Sequence, residues 1–230
     1  MEIHGFNKTT LLDYPGHLAA TVFTGGCNFR CPFCHNGPLV LHPKEQPMIP
    51  EDEVLAVLER RKNILEGVCI TGGEPTLQAD LPEFIRKIKV LGIKVKLDTN
   101  GTRPEVLKTC LEEGLLDYAA MDIKNTPEKY ALSTGLLQPE LDKIKESANI
   151  LMKSGIEYEF RTTIVREHHT SLDMEAIGSW LAGAKRYFLQ NYRDSEGVIE
   201  QGLHAHEQEQ LEKFKQILEK TIPQVEIRGI

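Results

Sequence analysis

Gly67-Val68-Cys69-Ile70-Thr71-Gly72-Gly73-Glu74-Pro75 is a short apolar run that stops at paired glycines and a proline. A run of this length, bounded by turn residues, reads as a buried strand followed by a loop. Behind it, Asp80 is placed to cap a helix with Pro82 in its first turn. Phe84, Ile85, Ile88 and Leu91 then recur at helical spacing, and Gly92 supplies the stop. The same strand–loop–helix unit repeats in both directions. Upstream, residues 18–24 form a strand ending at Gly25-Gly26, and Val54, Leu55, Val57 and Leu58 mark a helix behind the acidic turn 51–53. Downstream, strands are predicted over 93–98, 118–123, 156–165 and 186–189, with helices over 104–113, 139–154 and 174–182 between them. An amphipathic helix over 206–219 and a short strand over 225–227 close the chain.

Strict β–α alternation implies a parallel sheet with helical crossovers. Polar and glycine residues gather just after strand ends, at Gly25-Gly26, Gly72-Gly73-Glu74, Asp98-Thr99-Asn100 and Lys124. Barrels carry their sites on the loops at the C-terminal strand ends, whereas open sheets bind at one switch point. Chemistry at the same end of four consecutive strands favours an α/β fold of the partial (β/α)6 TIM-like barrel type. A single domain over 1–230 is expected, with an N-terminal segment 1–17, a core barrel over 18–200 and a C-terminal helix and strand over 201–230.

The chain has 27 basic and 34 acidic side chains, a formal net charge of −7. That balance gives no general electrostatic footprint for nucleic acid or an anionic membrane. No apolar stretch approaches the roughly 18 residues of a membrane span. Residues 1–17 have no basic stretch followed by an apolar run, so no secretory signal is expected. These features predict a cytoplasmic protein, where thiols stay reduced and clustered cysteines point to metal or catalysis rather than disulfides.

Of five cysteines, three are packed into Cys27-Asn28-Phe29-Arg30-Cys31-Pro32-Phe33-Cys34. Three thiolates within one short run can wrap an iron–sulfur cluster. Three ligands for four irons leave one iron open to a substrate. Structural zinc usually takes four ligands, often as two cysteine pairs, and only His35 is adjacent here. Cys69 and Cys110 stand alone in apolar surroundings and read as buried structural thiols. His168-His169 and His204-x-His206 read as exposed loop and helix-start histidines, because no carboxylate or thiol is near them in sequence. Trp180 reads as core or as a partner-facing helix residue.

The C-x3-C-x2-C run, with Phe33 before its last cysteine, resembles the signature of the radical S-adenosylmethionine (SAM) superfamily. The resemblance implies the radical SAM fold and a [4Fe–4S] cluster on Cys27, Cys31 and Cys34, with SAM chelating the open iron. It places Phe33 and His35 near the adenosine end. Gly72-Gly73-Glu74-Pro75 resembles the motif that contacts the SAM amino group. Asp98-Thr99-Asn100-Gly101 and Asp122-Ile123-Lys124 resemble motifs of the glycyl-radical-activating subgroup. These imply SAM-carboxylate contacts from Asp98, Thr99, Asp122 and Lys124, and a monovalent cation among them. Arg161, in a strand between Phe160 and Thr162, is a further partner for the carboxylate. Asp13-Tyr14-Pro15-Gly16 resembles an activase loop that approaches the partner. Where some activases place a histidine after the sixth strand, this chain has Gln190-Asn191-Tyr192-Arg193.

Within that superfamily the resemblance is closest to the activating proteins of anaerobic ribonucleoside-triphosphate reductase. It implies a large glycyl-radical enzyme as partner and a flavodoxin or ferredoxin as electron donor. The compact length and the lack of a second cysteine cluster agree with it. Two alternatives remain open: a radical SAM enzyme acting on a small molecule, such as a deazapurine-forming synthase, and a non-catalytic iron–sulfur electron carrier.

Overall fold

The run that opens at Gly67 is strand β3 (Gly67–Gly72), hydrogen-bonded in parallel to β2 (Ala19–Thr24) on one side and β4 (Lys94–Thr99) on the other. The computed structural model describes residues 1–229 and continues this pattern through β5 (Tyr118–Asp122), β6 (Glu157–Ile164), β7 (Arg186–Asn191) and β8 (Gln224–Arg228). The eight strands lie in the order of the sequence, with β1 (Ile3–Thr10) and β8 at the two edges. Strands β2 to β8 are mutually parallel, and β1 runs antiparallel to β2. The sheet is the α/β, parallel-strand partial barrel expected, with the short closing strand present as β8 at one edge and β1 added at the other.

Helices α2 (Glu51–Arg61), α3 (Leu81–Val90), α4 (Pro104–Glu112), α6 (Leu141–Lys153), α7 (Ser171–Trp180) and α8 (Gln208–Leu218) are the crossovers. Each lays an apolar stripe on the outer face of the sheet. In α3 that stripe is Leu81, Phe84, Ile85 and Ile88, all fully buried. Each such side chain contributes about 1.5–3 kcal/mol of burial. They meet Val68, Ile70, Val95 and Leu97, the outward alternation of β3 and β4, in one continuous core. Among the described residues no helix is long and apolar enough to cross a membrane.

Several local readings change. Residues 3–10 form an edge strand, which its mixed polar sequence does not announce because much of it is solvated. Helices α1 (Gly37–Leu41) and α5 (Tyr130–Thr134) are five residues each, too short to show a period. Asp80 sits at the start of α3 but makes no capping bond; its carboxylate pairs with the Met1 ammonium. Gly92 stops that helix as expected, at φ +78°. Cys69 and Cys110 are fully buried.

The two ends of the barrel differ. Thr10 pairs with Ala19, so the loop between β1 and β2 lies at the N-terminal ends of the parallel strands. Tyr14 turns inward there, 2% exposed, packed with Ala19 and Tyr118 in a small separate cluster. Gly67 leaves it room: a Cβ there would stand 2.5 Å from the Tyr14 ring.

Candidate active site

At the other end, the loop from β2 to α1 carries Cys27, Cys31 and Cys34, and all three line one cavity of about 220 Å³. Phe29 N–H donates to Cys27 Sγ at 3.3 Å, and Cys34 N–H to the Cys31 carbonyl at 3.0 Å. Asn100, just past β4, donates to Asn28 Oδ1 at 2.8 Å and reaches Cys27 Sγ at 3.8 Å. Thr102 donates to Asn100 Oδ1 at 2.7 Å and accepts from Asn28 Nδ2 at 2.9 Å. Asn28 and Asn100 are therefore site residues that the sequence reading does not assign, although Asn100 lies inside the motif it quotes. An amide near a ligand sulfur is the kind of contact that tunes an iron–sulfur centre.

The thiols fit a cluster. All three open on the same cavity from one short loop, and thiolate is the preferred ligand of an iron–sulfur cluster. Burial pushes the Cys31 thiol up to about 12 and Cys27 to about 11, and the Lys124 ammonium only partly opposes this. Such thiols ionise when a strong cation meets the sulfur, as iron does.

Gly72 and Gly73 both line the cavity, and the same pair brings two loops together. Gly73 packs against the cysteine loop so closely that a Cβ would stand 1.9 Å from the Gly26 carbonyl oxygen. Gly72 has φ +112°, with Thr24 N 2.4 Å from its notional Cβ. The pair lets two loops touch, sealed by Glu74 N–H to the Gly26 carbonyl at 2.8 Å. Glu74 also lines the cavity while its carboxylate is held by neighbouring loops. It is 1% exposed and accepts from Thr76, from Thr99 Oγ1 at 2.8 Å and from Asn100 N–H at 2.6 Å. Burial raises its pKa against those bonds. Glu74 thus ties the third-strand loop to the fourth, and Thr99 is its partner.

The inward faces of β4, β5 and β6 bring Asp98, Asp122, Lys124 and Arg161 together on the cavity floor. Arg161 Nη1 lies 3.0 Å from Asp98 Oδ2, and its Nε bonds Asp122 Oδ1. Lys124 Nζ bonds Asp122 Oδ2 at 2.8 Å. Burial alone would push Asp122 up, but Arg161 and Lys124 outweigh it and hold the carboxyl well below its usual range. For Asp98 the same contest is won by Arg161 and Lys96. The net result is a floor of fixed charges that can meet a carboxylate with cations already desolvated.

Phe33 is 3% exposed and forms part of the wall, with His168 edge-on at 5.7 Å. His35 also lines the cavity; its Nε2 lies 2.6 Å from the Arg193 carbonyl, and its ring faces Tyr192 at 5.7 Å. Gln190 lines the cavity at the position where a histidine is absent. The exposed reading of His168-His169 is corrected: both are buried. His169 Nδ1 accepts from Val165 N–H at 3.0 Å, so its Nε2–H donates to the Lys124 carbonyl at 3.0 Å. Burial lowers its pKa to about 4. His204 remains exposed, paired with Glu167 at 2.7 Å. Of the loop residues Asp13, Tyr14, Pro15 and Gly16, Tyr14 is corrected as a partner-facing side chain, because it is buried. That loop lies at the opposite end of the barrel, where Tyr14 is a plug and Asp13 accepts from Thr21.

The sequence profile of the radical SAM superfamily matches residues 21–175. A Methanocaldococcus jannaschii protein named as a candidate glycyl-radical enzyme activating enzyme is 30% identical over 234 residues, covering 99% of this chain and 96% of its own. The 7-carboxy-7-deazaguanine synthase of Thermoplasma acidophilum is 28% identical over 176 residues, or 75% of this chain and 79% of its own. Streptococcus suis SuiB bound to S-adenosylmethionine superposes with a TM-score of 0.70 at 15% identity, over 88% of this chain. The chain spans 48% of the length of SuiB, and at that identity the likeness speaks for the fold. From the profile across the cysteine loop and the charged strands, together with the relative matched nearly end to end, the chain belongs to the radical SAM superfamily, whose cofactors are a [4Fe–4S] cluster and S-adenosylmethionine.

Proposed function

We propose that this radical SAM enzyme is an activase that installs a glycyl radical on a partner enzyme, anaerobic ribonucleoside-triphosphate reductase. The observation that carries the reading is the likeness to the M. jannaschii protein over nearly the whole of both chains. A cluster held by Cys27, Cys31 and Cys34, fed one electron by a flavodoxin or ferredoxin, would supply reductive cleavage of SAM to methionine and a 5′-deoxyadenosyl radical, which would take the Cα hydrogen of the partner's glycine and depart as 5′-deoxyadenosine. The chain supplies position and exclusion of water. Cys27, Cys31 and Cys34 hold the cluster. Lys124 and Arg161 offer cations to the SAM carboxylate, and Phe33 and His35 wall the adenosine. Glu74 and Thr99 hold the two intervening loops in register. Leu132 and Leu137 stand exposed beside the cysteine loop, to which Gly135 is packed, as apolar surface for a protein partner. The reaction is assigned to the cytoplasm, where the thiols stay reduced.

The test is anaerobic. Reconstituted, reduced protein, SAM and the large reductase subunit should give the electron paramagnetic resonance doublet of a glycyl radical, with one 5′-deoxyadenosine per radical. No doublet, with SAM cleaved in the presence of a purine precursor, would favour the small-molecule reading, which the T. acidophilum likeness supports. A reconstituted protein that binds no SAM would leave only the electron carrier.

A further inference from the structure

The charged floor has a fifth member that does not line the cavity. Lys96 lies two residues before Asp98 on the same face of β4, and its side chain is 2% exposed. Its ammonium bonds Asp98 Oδ1, stands 3.7 Å from Cys69 Sγ and lies 6.0 Å from the centre of the Tyr118 ring. Thiol and ring bring no formal charge, so Asp98 is the anion that compensates this buried ammonium. Lys96, Asp98, Arg161, Asp122 and Lys124 form one connected ladder in which each of the four carboxylate oxygens faces a cation of the chain itself.

Three cations against two carboxylates leave one positive charge. An incoming carboxylate makes the set neutral. Without Lys96 the set would be neutral before binding and negative after it, the condition that draws in a hard cation with free oxygen ligands. With Lys96 present, a second cation at Asp98 meets like-charge repulsion in a desolvated site.

We propose that Lys96 is the resident counter-cation of the SAM pocket, a positioning residue that supplies to Asp98 the unit charge a sodium or potassium ion would otherwise bring. The site then binds the carboxylate end of its ligand independently of monovalent metal ions. This replaces the bound cation that the motif resemblance implied. It rests on the reading that the cavity takes SAM.

The experiment measures SAM affinity of the reconstituted holoprotein in choline chloride, then in potassium and sodium chloride at equal ionic strength. Wild type should stay within about twofold across the three salts, a small fraction of the roughly 1.4 kcal/mol that a tenfold change represents. Lys96→Met should bind about tenfold more weakly in choline and recover on adding either metal ion, a rescue that a merely structural role would not produce. Lys96→Arg, which keeps the charge, should remain indifferent to the salt. A wild-type affinity that climbs several-fold with potassium would overturn the proposal, and so would a Lys96→Met protein that ignores the salts. If Lys96→Met does not fold, the wild-type and Lys96→Arg series still decide. A holoprotein that binds no SAM in any salt would remove the pocket reading instead. The sodium-23 linewidth with cluster-free wild type and Lys96→Arg then remains the arbiter: broadening by either protein counts against Lys96, and none supports it.

Discussion

Strands β4, β5 and β6 have two unlike faces. Outward point Val95, Leu97, Ala119, Met121, Tyr158 and Phe160, all in the main core. Inward point Lys96, Asp98, Asp122, Glu159 and Arg161, which bond one another and their neighbours on adjoining strands. The backbone is shared, and the alternation of the strand sends stability one way and chemistry the other. The inner face is also graded along the barrel. Lys124 and Arg161 lie at the cavity; Glu159, deeper, takes a paired contact from Arg228 on β8 at 2.8 and 3.0 Å and a hydroxyl from Tyr118 at 2.7 Å. The edge strand is thereby bonded into the barrel interior by side chains as well as by its backbone.

The contrast can be broken by changing one face at a time. Cys31→Ala should have the largest effect, abolishing cluster absorbance and SAM cleavage together; retention of both would remove the triad from the site. Phe160→Ala, on the outer face, should cost about 3–5 kcal/mol in urea unfolding. The fraction that folds should bind SAM as wild type does, and a matching loss of affinity would mean the faces are not separable. Lys124→Ala, on the inner face, should weaken SAM binding about ten- to a hundredfold, or roughly 1.4–2.8 kcal/mol, with iron content intact. Unchanged affinity would take Lys124 out of the pocket.

The smallest effect sharpens the support behind the inner face. His169 is folded with its pKa lowered to about 4, so the neutral ring is favoured. A depressed value means this contribution is complete above the unfolded pKa, near 6.5, and is lost as pH falls toward 4. Between roughly pH 7.5 and pH 5 it should remove about 2 kcal/mol of stability. His169→Gln should flatten that slope in urea titrations at the two pH values, and an unchanged slope would assign it elsewhere.

Most of the fold is legible in the chain because strand and helix carry different periods, and glycines mark the joints. The unread parts have local causes. Residues 3–10 are a half-solvated edge strand without alternation, and α1 and α5 are shorter than two helical turns. In the site, the cysteine loop and the residues after β3, β4 and β5 are legible because they lie within short motifs. The duties within those motifs are not. Glu74 lines the cavity as its motif implies, but its bonds to Thr99 and Asn100 across to the next loop depend on residues about 25 positions away and cannot be read locally.

By itself the sequence determined the order of strands and helices, the end of the barrel that holds the chemistry, and the three thiols gathered on one loop. These follow from spacing along the backbone. Tertiary structure alone decided which charges meet. Arg161 reaches both Asp98 and Asp122 because β4, β5 and β6 lie in parallel register, across gaps of 63 and 39 residues that no local pattern spans. It also decided that Tyr14 is a plug at the far end and that His168 and His169 are buried. Burial is set by what packs against a side chain through space, and its neighbours in sequence do not reveal it.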